Sequence, residues 1–192
     1  MSDPQPRVKI LPMRPRAAAS PGEPVEHRVG RTLLENLSSL YATAVRLTGL
    51  RDLAEDLVQE TARKALDAAP QLEHQRNVRG WVFAILVNLI RDRARRRHDW
   101  EELDAEAQER SAEQPETESI RRATAEDVRR ALQTLEPARR AVLTLIDIEG
   151  FTLREAAEIL GISSGTAASR LWRARHELRD LLQGYENLGV RR

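Results

Sequence analysis

Between Gly150 and Leu178 the sequence reads GFTLREAAEILGISSGTAASRLWRARHEL, and no other stretch restricts the fold so tightly. Leu153, Ala156, Ala157 and Leu160 recur at the three- and four-residue spacing of one helical face. Thr152 stands where an N-cap belongs, and Glu155 three residues later completes a capping box. Gly161 ends that helix, since the left-handed backbone position of a helix stop costs glycine little. Ile162 is a hydrophobic plug, Ser163 or Ser164 a new N-cap, and a second helix runs from about Gly165 into Leu182. Ala167, Leu171, Ala174, Leu178 and Leu181 form its apolar stripe; Thr166, Ser169, Arg170, Trp172, Arg173, Arg175, His176 and Arg179 occupy the other face. Two helices about a tight glycine turn, the second basic and rich in small hydroxyls, make a helix-turn-helix with a recognition helix. An αα-hairpin with a solvated arginine face has the same apolar pattern. The grouping of small and basic residues where a groove-entering helix needs them favours DNA.

The remaining chain shows no strand pattern and no internal repeat. Residues 1–30 hold six prolines (4, 6, 12, 15, 21 and 24) and little apolar patterning, as in a disordered arm. Leu33, Leu34, Leu37, Leu40, Tyr41, Ala44 and Val45 then define a helix that Gly49 stops. A second helix is expected from an N-cap at Asp52 to Pro70, with Leu53, Ala54, Leu57, Val58, Ala62, Ala65 and Leu66 inward. Its exposed face is Glu55, Asp56, Gln59, Glu60 and Arg63. After a polar loop a third helix runs from Val78 to about Arg97, with Trp81, Val82, Ile85, Leu86, Leu89 and Ile90 apolar. Three such helices enclose one core.

Charge then separates sharply. Residues 91–97 read RDRARRR, whereas 99–118 hold nine acids against Arg110 alone. The expected fold is therefore all-α: an arm (1–30), a helical domain (31–97) and a flexible acidic linker (98–119), then a second helical domain carrying the helix-turn-helix (120–183) and a tail (184–192). In the second domain, Ile120 to Leu135 supply one helix, and Pro137 suits the first position of the next.

The net charge is only +1, so any affinity for nucleic acid comes from segregated charge rather than a global field. There is no cysteine, which excludes disulfides, thiolate metal sites and a cysteine nucleophile and fits a cytoplasmic location. No apolar run reaches the roughly 20 residues of a membrane helix, so no membrane insertion is expected. The four histidines are scattered, with no metal-ligand spacing and no glycine-rich phosphate loop. No cofactor, metal or catalytic residue is expected, and Glu55, Asp56 and Glu60 read as a solvated or partner-binding face. Arg91, Arg93, Arg95, Arg96 and Arg97 are suited to phosphates, and Asn88 to a base edge or exposed base. Trp81, at helical spacing with Ile85, reads as core rather than as a stacking platform.

Residues 51–66 (RDLAEDLVQETARKAL), 77–97 (NVRGWVFAILVNLIRDRARRR) and 135–182 together resemble the bacterial extracytoplasmic-function (ECF) sigma factors, of the sigma-70 superfamily, in order, spacing and linker. The resemblance implies a protein that binds core RNA polymerase, recognises the minus-ten and minus-thirty-five promoter elements and directs initiation. It places Asp56, Gln59 and Glu60 on the clamp helices of the polymerase β′ subunit. It assigns Asn88 to a flipped-out minus-ten base, with Arg91, Arg93, Arg95 and Arg96 on the melted backbone. The recognition helix would read the minus-thirty-five duplex through Ser169 and Arg173, with Arg154, Ser164, Thr166, Arg170, Trp172 and Arg175 beside them. Two departures are visible. Ala168 replaces a basic or bulky residue, leaving that contact absent or supplied by Arg154, and Leu86-Val87 implies a more apolar single-strand pocket. Such proteins are commonly restrained by an anti-sigma factor, so one is an expected partner. The alternative is a stand-alone helix-turn-helix regulator of duplex operators, which has no need of the Asp56 face or the Asn88-and-arginine helix.

Overall fold

A computed structural model describes residues 24–72, 77–101 and 128–189, without side chains for 97–101 and 183–189. The arm up to residue 23, most of the acidic linker, Ile120 and Ala123 lie outside those residues. All regular structure among them is helical. Helix α1 is Val25–Thr48, α2 Arg51–Ala68 and α3 Val78–Glu101. Helix α4 covers 128–134, α5 is Pro137–Leu143, α6 Leu153–Leu160 and α7 Ser164–Gly189.

Several boundaries differ from those read in the sequence. Helix α1 begins at Val25, inside the expected arm, because Val25 and Val29 are buried at its first turns. Leu34 is 79% exposed and Leu37 is also outside, so the packed stripe of α1 is narrower than its run of leucines. Helix α2 starts at Arg51 with Leu50 at the cap, and Asp52 makes no capping bond. Gly49, at φ 77°, turns the chain so tightly that Thr48 Oγ1 receives the Leu50 N–H instead. Helix α3 runs four residues past Arg97, and α7 enters the expected tail. Between α5 and α6 the chain widens into a π turn, Thr144–Ile148.

The helix-turn-helix forms as its chemistry dictates. Thr152 Oγ1 accepts from the Glu155 N–H, and the Glu155 carboxylate accepts from the Thr152 N–H at 2.9 Å. Gly161 sits at φ 63° after α6, and Ser163 Oγ accepts the Thr166 N–H at 3.0 Å, making Ser163 the cap of α7.

Helices α1–α3 form one bundle and α4–α7 a second, and the bundles close on each other with α3 against α6 and α1 against α5. Their interiors are continuous. Phe83 of α3 meets Phe151 edge-on, centroids 5.0 Å apart, and the Arg79 guanidinium lies 4.2 Å from the Phe151 ring centre. Buried Arg140 of α5 donates to the carbonyls of Gln133 and Leu135, each at 3.0 Å, and reaches those of Arg46 and Leu47 at the end of α1. Gln133 Nε2 adds a 2.8 Å bond to the Arg46 carbonyl, so the second bundle caps orphan acceptors of the first. Burial lowers the pKa of the Arg140 guanidinium.

Glu155 couples the two bundles further. Its other oxygen accepts from Nδ2 of Asn77 at 3.0 Å, while Asn77 Oδ1 caps α3 by accepting the Gly80 N–H at 3.1 Å. Thr152→Ala is expected to cost about 1 kcal/mol, the usual worth of a cap. Glu155→Ala is expected to cost about 2 kcal/mol, since a buried amide loses its partner as well. Urea denaturation followed by circular dichroism checks both; equal costs would contradict the link to Asn77.

Candidate nucleic-acid interface

The face of α2 that carries Asp56, Gln59 and Glu60 follows from helical spacing: three and four residues apart, the side chains share one side, away from buried Ala54, Leu57 and Val58. Asp56 and Gln59 are exposed. Glu60 is tied to Arg63 at 2.6 Å and lies 3.7 Å from Lys64, and the Arg63 hydrogen bond lowers its pKa. The face is acidic, solvated and covered by nothing among the described residues.

Helix α3 is apolar on nearly every side from Trp81 to Val87, since α1 and α2 cover one flank and α6 another. Trp81 is 1% exposed and belongs to the core. Leu86 and Val87, at the expected single-strand pocket, are buried while the bundles are closed. Asn88 is half-buried at the point where α3 leaves the core, and Arg93, Arg95 and Arg96 are exposed beyond it. Arg95 is bridged to Asp92 one turn back. Arg91 differs from its neighbours: its Nη1 donates to the Leu160 carbonyl at the end of α6 at 2.9 Å. Burial first, then the like charges of Arg170 and Arg95, lower the pKa of its guanidinium.

On the recognition helix α7, Ala167, Leu171 and Ala174 are buried and Ser164, Ser169, Trp172, Arg173 and Arg175 are exposed. Trp172 is 62% exposed and stacks on His176 with ring centres 4.2 Å apart. Ser169 donates to the Thr166 carbonyl, and Thr166 bonds Ser163 at the start of the helix. Arg175 forms a two-pronged pair with Asp147 of the π turn at 2.9 and 2.6 Å, which raises its pKa and gives it a packing role. Arg154 pairs with Glu158 on α6, and Arg170 is half-buried near Arg91. Ala168 is exposed, so the side chain missing there would have pointed outward.

The structure also brings together residues that the sequence did not single out. Glu149, the residue that caps the end of the π turn, accepts from Ser39, from Thr43 at 2.8 Å, from Arg46 at 3.4 Å and from Arg79 at 3.3 Å. One signal was available: Phe83 and Val87 are apolar and four apart, yet lie off the stripe that packs on α1 and α2. No group of acidic or histidine side chains among the described residues suits a metal ion, and none of their helices is long and apolar enough to cross a membrane.

Residues 33–101 match the family model of sigma-70 region 2, and residues 125–178 that of sigma-70 region 4. The chain is 37% identical over 161 residues to the ECF RNA polymerase sigma factor EcfG of Rhodopseudomonas palustris, which covers 82% of this chain and 87% of that protein. Among solved structures it is similar to the sigma factor RpoE in complex with the anti-sigma factor NepR from Bartonella quintana, at 34% identity and a TM-score of 0.70, over 86% of this chain and 99% of that one. It is also similar to CnrH in complex with the cytosolic domain of CnrY, at 25% identity and a TM-score of 0.62, over 85% and 91%. With both regions matched in order, on two helical bundles of the expected kind, the chain belongs to the ECF sigma factors of the sigma-70 family.

Proposed function

We propose that this sigma factor docks on core RNA polymerase through the Asp56, Gln59 and Glu60 face of α2, with the clamp helices of the β′ subunit as its partner. Asn88 captures a flipped base of the minus-ten element, while Arg91, Arg93, Arg95 and Arg96 hold the melted backbone. The recognition helix reads the minus-thirty-five duplex: Ser169 and Arg173 face bases, Trp172 packs beside them, and Ser164, Thr166, Arg154 and Arg170 serve phosphates. The observation that carries this reading is that one chain presents three separate exposed surfaces, one acidic and two cationic. A duplex-binding regulator has use for only one of them. An anti-sigma factor is the proposed restraining partner, because a similar sigma factor, RpoE, was solved in complex with the anti-sigma factor NepR.

Asn88→Ala tests the melted-strand role. Loss of a base contact is worth about 1–3 kcal/mol, so binding of the polymerase holoenzyme to a pre-melted promoter fork should fall by about fivefold to a hundredfold. Binding to the upstream duplex element should not change. Equal loss on both templates would contradict the assignment.

A further inference from the structure

The carboxylate of Glu149 is 4% exposed, and its side-chain donors Ser39, Thr43, Arg46 and Arg79 all belong to the other bundle. Arg79 Nη2 also donates to the Glu149 carbonyl at 3.0 Å, and its Nε to Asn36 Oδ1 at 2.8 Å, which fixes the guanidinium plane. The pocket is therefore built by α1 and the first turn of α3, and only its anion is foreign. Two hydroxyls and two guanidinium groups converging on one anion are the donors by which proteins hold nucleic-acid backbones. A phosphodiester presents what this carboxylate presents: one negative charge shared by two unesterified oxygens.

We propose that Ser39, Thr43, Arg46 and Arg79 form a binding site for a backbone phosphate of melted promoter DNA, which Glu149 fills while the two bundles are closed.

This proposal rests on the strand surface assigned above, which lies farther along the same helix, α3. At the two ends of this stretch of α3 the second bundle also gives Asn77 an oxygen of Glu155 and gives Arg91 the carbonyl of Leu160. From Arg79 to Arg91 the helix rises about 18 Å, a length that spans several nucleotides. The second bundle thus sets oxygen acceptors against donors along this stretch, as a strand would, and it brings Arg170 close enough to repel Arg91. Closure and strand capture compete for the same groups.

The test measures binding of the full chain to a fluorescein-labelled single-stranded oligonucleotide of mixed sequence, by anisotropy over a range of salt. Glu149→Gln removes the competing charge and is expected to tighten binding severalfold. Adding Arg46→Gln to that variant is expected to weaken binding and to reduce the salt slope by about 0.7, the share of one single-strand phosphate. Arg46→Lys in the same background keeps the charge and is expected to keep the slope. If Arg46 served closure alone, Arg46→Gln by itself would tighten binding just as Glu149→Gln does, and that result would overturn the proposal. No response to any of these changes would assign the pocket to a carboxylate and likewise overturn it. Transcription by the wild type on core polymerase separates the two claims. Initiation without an Arg46 effect removes the pocket alone, and strand binding without initiation removes its promoter role.

Discussion

Replacing Asp56 and Gln59 together by arginine is expected to abolish assembly with core RNA polymerase while leaving the fold intact. Both side chains are exposed on α2, and neither takes part in the ion pairs that Arg63 makes with Glu60 and Asp67. Nothing in the core depends on them, so the melting curve should move by no more than about 0.5 kcal/mol. At the interface the consequence is much larger. Setting like charges together across a protein contact costs several kcal/mol, which means a loss of roughly a hundredfold or more in affinity. Core-polymerase pull-down and a fluorescence titration read the effect directly. Normal assembly by a well-folded double variant would remove α2 as the docking element.

Phe83→Ala is expected to be among the most destabilising single changes in the chain. Its ring is fully buried, meets Phe151 edge-on and lies 5.0 Å from the Arg79 guanidinium. Truncating a core phenylalanine costs about 3–5 kcal/mol, a large part of the 5–15 kcal/mol that holds a typical domain. The cavity opens where the bundles meet, so closure should weaken along with overall stability. Leu34→Ala is the matched control: at 79% exposure it should change stability by less than about 0.5 kcal/mol. Urea midpoints of the two variants give the comparison, and similar costs would show that the interior does not run across both bundles.

The parts legible in the sequence are those written locally. The Thr152–Glu155 capping box, the stop at Gly161, the start at Pro137 and the inward stripe of α2 each depend on residues within a few positions. The structure has the first three, and the α2 stripe except at its end, where Leu66, read as inward, is 49% exposed and Thr61 is buried instead. What escaped depends on contacts far apart in the chain. Thr43 and Glu149 are separated by 106 positions, and neither sits in a periodic pattern that announces the other. Leu34 and Leu37 share the spacing of a core stripe, yet solvent lies over them, because periodicity marks a face without saying whether anything covers it. The candidate surfaces divide in the same way. Asp56, Asn88 and Arg173 were accessible to helix spacing and resemblance. That Arg175 is engaged by Asp147, and Arg91 by the Leu160 carbonyl, needed the tertiary structure.

Run-off transcription on a pool of genomic fragments shows whether this chain directs initiation by core RNA polymerase. Start sites are expected that appear only when the protein is added to core polymerase, with two shared upstream elements among them. No new start sites, combined with unaided binding to duplex fragments, would contradict that role.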